Sequence, residues 1–235
     1  MNPVLLDNLE HADLAIRGDR GAAFGDPSGF VEVVPGEFEN LQREYCVLYR
    51  RGPDGGARSV ALLGLTPDAN VFISGNRWDA RYEPALVRRA GFLIAELQDD
   101  RQALQVDLDH PRICKNGQGR PLFLPQGGHA APLASAIEAL QVIREGRADA
   151  EKLSQLLDEF ELLERLDLEI GPVDDQTFRL SGFESIDPAR LSELSIEALD
   201  RLRSEGLLAA VIFAAHSLGN LGHLVERHQA KHARR

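Results

Sequence analysis

The densest group of chemically capable side chains lies between Arg77 and Arg89. There Arg77, Trp78, Arg81, Tyr82, Arg88 and Arg89 place four cations and two large aromatics within thirteen positions. A guanidinium grips carboxylate or phosphate through forked hydrogen bonds, and Trp and Tyr bury large area while keeping a polar edge. These residue types dominate binding hot spots. The six are therefore candidate binding residues for a carboxylate, a phosphate or an acidic peptide. The competing reading puts Trp78 and Tyr82 in the core and pairs the arginines with nearby acids.

No other group assembles a recognised chemistry. Asp107, Asp109 and His110 form a polar knot at a strand end. A facial-triad iron site uses a His-x-Asp arrangement and a distant second His, whereas the order here is Asp-x-Asp-His and the second His is not identified. His216 and His223 stand seven apart on one helical face, too far for one metal ion. His228 and His232 have the workable spacing of four but no third ligand nearby. There is no Gly-x-Ser-x-Gly, no GxGxxG and no Walker loop. Cys46, between Tyr45 and Val47, reads as a small buried hydrophobe. No catalytic residue, metal site or cofactor is assigned.

The elements that must position these residues change character along the chain. Leu14–Arg17, Phe30–Val34, Tyr45–Arg50, Ser59–Leu65, Val71–Ser74, Phe92–Leu97 and Ala103–Leu108 read as strands. Gly52-Pro53-Asp54-Gly55-Gly56 and Asp99-Asp100 mark hairpin turns, and Glu37–Glu44 reads as a short helix. Strands that follow one another without regular helices between them predict a mostly antiparallel sheet. From Leu133 the period becomes helical, with Ala136, Ile137, Leu140 and Ile143 on one face. Gly146 is expected to stop that helix and Asp149 to cap a second, carrying Leu153, Leu156, Leu157, Phe160 and Leu163. A short β excursion at Leu166–Ile170 and Thr177–Leu180 follows. Asp187-Pro188 and Ser195 are helix starts. The expected fold is α+β: a mostly antiparallel sheet from the N-terminal half, packed against helices from the C-terminal half. A single domain over 1–235 is expected, β-rich over 1–128 and helix-rich over 129–235.

Charge and composition narrow the partners. The 235 residues carry a net charge of −11, which argues against nucleic acid, since phosphate binding needs a basic face. The apolar run from Leu207 to Leu218 is shorter than the roughly 20 residues that cross a bilayer, so a buried helix is expected and no membrane insertion. Without an export signal or a cysteine framework, a cytoplasmic protein with Cys46 and Cys114 reduced is expected.

Four stretches carry a resemblance to one family. They are Phe30-Val31-Glu32-Val33-Val34-Pro35-Gly36-Glu37-Phe38 with Arg43–Tyr49, Val60–Leu65 with Asn70-Val71-Phe72, Arg77–Arg89 with Gly91-Phe92, and Ser217–Leu224. Their order and spacing resemble the SapC family, named for a protein linked to bacterial surface arrays (S-layers). Pro121-Leu122-Phe123 departs from the pattern, leading into Leu124-Pro125-Gln126-Gly127-Gly128 and not into an acidic turn. The resemblance implies no defined reaction. It implies an association with bacterial envelope processes and genomic neighbours such as TonB-dependent receptors, cupin-like dioxygenases and flavin-dependent halogenases. A non-catalytic binding or helper protein with a protein or peptide partner is the expected function. The alternative is an enzyme whose site, of metal-dependent oxygenase or hydrolase type, is assembled from scattered residues. The oligomeric state is left open.

Overall fold

The computed structural model describes residues 1–96, 101–115, 117–173 and 176–232; the Asp99-Asp100 turn lies outside them. Strands β1 (Pro3–Leu5), β2 (Ala15–Ile16) and β3 (Phe30–Glu32) precede the short helix α1 (Phe38–Leu41). Next come β4 (Val47–Arg51), β5 (Ala57–Leu62), β6 (Ile73–Ser74), β7 (Arg77–Trp78) and one helical turn, α2 (Ala85–Arg88). Strands β8 (Phe92–Glu96), β9 (Gln102–Asp107), β10 (Ile113–Cys114) and β11 (Arg120–Pro121) lead to the long helix α3 (Ala131–Glu159). The hairpin β12 (Leu163–Val173) and β13 (Gln176–Ile186) is followed by α4 (Pro188–Ser192), α5 (Ile196–Ser204), α6 (Leu208–Ser217) and α7 (Leu221–His232). The chain is α+β, with antiparallel sheets mainly in its first half and helices mainly in its second.

Contacts divide the chain into two compact units that interleave along the sequence. One comprises Met1–Pro27, Ile73–Asp79 and Ala85–Arg144. Its main sheet has the order β1-β9-β8, all antiparallel, with Val106 paired to Val4 on one side and Phe92 on the other. Leu14, Ile16, Phe92, Val106, Leu122, Leu133, Ala136 and Leu140 form its apolar core. Burying a side chain such as Leu or Phe is worth about 1.5–3 kcal/mol, so these residues hold the β8–β9 hairpin and the start of α3 together.

The other unit comprises Ser28–Phe72, Ala80–Pro84 and Glu145–Arg235. Its five-stranded antiparallel sheet has the order β12-β13-β4-β5-β3. The turn between β4 and β5 closes as the Gly-Pro-Asp-Gly-Gly run predicts: Gly52 N donates to Gly56 O, and Gly55 takes φ 82°, a backbone region that glycine enters without steric cost. Helix α6 packs on β4 and β13. Ser217 Oγ accepts from Val47 N at 2.8 Å, and Asn220 Nδ2 donates to the Gln42 and Tyr45 carbonyls. The helical run Leu208–Lys231 reaches a mean hydropathy of 1.5 and by length and composition could cross a membrane. Of its most apolar window 28% is buried, so the buried helix expected from Leu207–Leu218 is only partly seen; Ser217 and Asn220 are the polar groups that tie it to β4 and the segment before it. Asp187 and Ser195 cap α4 and α5, accepting from Ala189 and Arg190 N and from Ala198 N respectively.

Two expectations change. The helix from Leu133 does not stop at Gly146: α3 runs unbroken for 29 residues, so the expected antiparallel pair is one rod. Gly146 serves packing, since a Cβ there would lie 2.5 Å from Val34 Cβ. The β excursion is also larger than expected, two strands of 11 residues each.

Candidate functional site

The first unit contains a cavity of about 260 Å³. It begins with the end of β9. Asp107 Oδ1 accepts from Asn2 N at 2.7 Å and from Asp109 N at 3.2 Å, which fixes the turn. The Asn2 bond, with smaller help from Asp109 N, the terminal ammonium and His110, holds the carboxyl below its ordinary range. This turn delivers the His110 ring to the cavity wall.

Two glycines make room for that ring. A Cβ on Gly91 would lie 2.6 Å from His110 Cβ, and one on Gly25 would lie 3.2 Å from Nε2. His110 Nδ1 accepts from Arg112 N at 3.2 Å. A backbone N–H can only donate, so Nδ1 is unprotonated and the neutral ring carries its proton on Nε2. Burial first, then the Arg112 and Arg89 charges, lower the His110 pKa, while Asp107 and Asp26 pull it upward. The ring is therefore neutral near pH 7 and presents an N–H donor.

Cations and committed carboxylates complete the wall. Arg89 follows α2 and donates from Nη1 to Phe92 O at 3.0 Å. Burial lowers its pKa, though a guanidinium stays charged. It makes no ion pair with a carboxylate among the described residues. Arg112 is 4% exposed and donates from Nε to Arg17 O. Asp26, 8% exposed, accepts from Arg20 Nη1 at 3.0 Å and Gly21 N at 2.7 Å, so its charge is already offset. Pro27, Leu86, Val87, Ala90 and Leu93 supply apolar wall. Such a site can hold an anionic group between a guanidinium and an imidazole N–H.

The six sequence candidates are divided between the units. Arg77 and Trp78 lie on β7, whose Trp78 pairs with Ile73 and Arg77 with Ser74. Arg88 ends α2, and Arg89 alone of the six lines the cavity. Arg81 and Tyr82 belong to the second unit. There Arg81 N donates to Glu44 Oε2 at 2.7 Å and Tyr82 O accepts from the Tyr45 hydroxyl at 2.6 Å. The Tyr82 hydroxyl donates to Glu37 Oε1 at 3.0 Å, and Glu37 is 1% exposed. Sequence reasoning found the Asp107–His110 knot but not its companions. Asp26, Arg112, Gly25 and Gly91 carry no motif that links them.

A second, larger cavity of about 560 Å³ has Ile94, Leu104, Phe123, Ile137 and Leu140 in its wall, with His129 and Arg144 among its polar groups. Arg144 Nη1 bonds Gln102 Oε1. Among the described residues, no three His, Cys, Asp or Glu side chains come together as a metal site. Cys46 is buried and its thiol is pushed up to about 12 by burial, which removes it as a nucleophile.

Fold and site together define an α+β protein with a small, cation-walled cavity. The chain belongs to the SapC family, whose model matches residues 6–224. No curated protein and no solved structure matches it.

Proposed function

We propose that this chain is a non-catalytic binding protein, a cytoplasmic helper whose cavity receives an anionic group of a peptide or protein partner. The observation that carries the reading is Arg89: a half-buried guanidinium in a cavity wall, with no carboxylate partner among the described residues. Removing a cation from water is costly unless it is paired, so an anionic ligand would recover interaction there. The His110 tautomer favours binding over base catalysis, because the nitrogen left unprotonated is occupied by Arg112 N. Family membership adds the context of bacterial envelope processes, with a modifying enzyme or a TonB-dependent receptor system as the machinery served.

The test is an NMR titration of the full chain with acetate, phosphate and a short acidic peptide. Saturable amide shifts at Gly25, Gly91 and His110, abolished by Arg89→Gln, support the reading. Shifts that persist unchanged in the variant, or none with any probe, refute it.

A further inference from the structure

Beyond the anion site, we infer that the larger cavity of the same unit binds an uncharged small molecule with an apolar body and an amide-type polar end. The two sites are separate. Leu93 lines the smaller cavity and Ile94 the larger, and neighbours in a strand point to opposite faces of the sheet.

The larger cavity arises where two apolar faces diverge. Phe92 pairs with Val106, and Ile94 with Leu104, so the four share one sheet face. Leu133, Ala136, Ile137 and Leu140 recur at helical spacing and share one face of α3. At one end the two faces close: Phe92, Val106, Leu133 and Ala136 are each 0% exposed. At the other, Ile94, Leu104 and Ile137 are only half-buried and form the floor of the cavity of about 560 Å³. Half-buried Phe123 extends that floor. Its turn is fixed by the Phe123–His129 bridge and by Leu124 N, which donates to Gly128 O. Water gains little at such walls, whereas an apolar body adds the close contacts of a packed interior. The volume lies within the roughly 300–1,000 Å³ typical of small-molecule pockets.

The rim selects the polar end. Its carboxylate and its guanidinium are both engaged within the protein. Asp7 Oδ1 accepts from Leu9 N at 2.7 Å and Glu10 N at 3.0 Å, and Arg144 Nη1 donates to Gln102 Oε1. The lining side chains that make no hydrogen bond among the described residues are the Asn8 and Gln141 amides and the His129 ring. A side-chain amide both donates and accepts, as a neutral imidazole does. A ligand amide answers both roles. A carboxylate only accepts and an ammonium only donates, so each leaves part of the rim unmatched and loses more hydration on entering.

The experiment titrates the full chain, by NMR, with 4-phenylbutanamide, 4-phenylbutanoate, 4-phenylbutylamine and acetamide, the last an amide without an apolar body. Saturable shifts of the Leu104, Gly128 and Gln141 backbone amides report the larger cavity, and those of Gly25 and Gly91 the smaller. At the larger cavity 4-phenylbutanamide is expected to bind at least fivefold more tightly than the acid or the amine, and acetamide is expected not to saturate. Ile137→Phe, which fills the floor with a ring, should weaken binding of the amide tenfold or more. Selectivity in the unaltered chain tests the inference even if that variant folds poorly. If the acid or the amine binds there as tightly as the amide, the uncharged assignment is overturned. If acetamide binds as tightly as 4-phenylbutanamide, the apolar body is overturned. If no probe shifts those amides saturably, or a folded Ile137→Phe binds the amide unchanged, the site itself is refuted. These outcomes leave the Arg89 reading untouched, since that rests on shifts at Gly25 and Gly91.

Discussion

Replacing glycine by alanine inside a helix ordinarily stabilises by about 1 kcal/mol, because glycine loses more backbone freedom on folding. At Gly146 the sign should reverse. Gly146 lies midway along the continuous α3, and a Cβ there would meet Val34 Cβ at 2.5 Å, Cγ2 at 2.6 Å and Cγ1 at 3.1 Å. Valine is branched at Cβ and held to few rotamers, so the contact cannot be relieved by swinging a flexible end. Overpacking of this kind typically costs about 1–3 kcal/mol. Set against the propensity gain, Gly146→Ala should destabilise by up to about 2 kcal/mol, a fall of up to roughly 8 °C in melting temperature for a chain of this size. Gly222→Ala in α7, with nothing packed within 4 Å of its new methyl group, should be neutral or stabilising. Urea denaturation of both variants, and of Gly146→Ala in a Val34→Gly background, separates the causes. If the clash is responsible, the cost disappears when Val34 is removed, a coupling that a double-mutant cycle reads directly. An equal cost in both backgrounds would refute the packing argument and restore Gly146 as a helix stop.

The His110 pKa is lowered from 6.5, so below about pH 6.5 the unfolded chain binds a proton that the folded chain resists. Stability is then full above pH 6.5 and declines as pH falls towards the folded value. An imidazole resonance titrating below 6.5, and a flatter stability–pH curve for His110→Gln, are the expected results. Tyr82→Phe should cost about 1–3 kcal/mol in chemical denaturation, because it removes one of the donors to buried Glu37, which also accepts from Val34 N. Asp187→Ala should cost about 1 kcal/mol through loss of the α4 cap. In native protein a thiol reagent followed by mass spectrometry should modify half-buried Cys114 well before Cys46.

What the sequence makes legible is local. The Gly52–Gly56 turn, the β8–β9 pairing and the caps at Asp187 and Ser195 depend on neighbours in the chain, and their residue types announce them. Gly146 misleads because its reason for being glycine is Val34, more than a hundred positions away. The β12–β13 hairpin outruns its expected length because the Leu, Glu, Arg and Asp alternation from Leu163 to Ile170 is a strand period carried by charged residues. Of the cavity, the Asp107–His110 knot is visible as a polar cluster and Arg89 as one arginine among several. That Gly25, Asp26 and Arg112 share its wall follows from the way β8, β9 and the segments flanking them pack, which no spacing rule encodes.

The most direct measurement for the central claim is a crystal structure of the chain soaked with 4-bromobutanoate, whose bromine is located by anomalous scattering. The account expects the bromine among Leu86, Val87 and Leu93, with a carboxylate oxygen within about 3 Å of the Arg89 guanidinium. A bromine found only elsewhere, or an Arg89 already paired to a carboxylate of the protein itself, would contradict it.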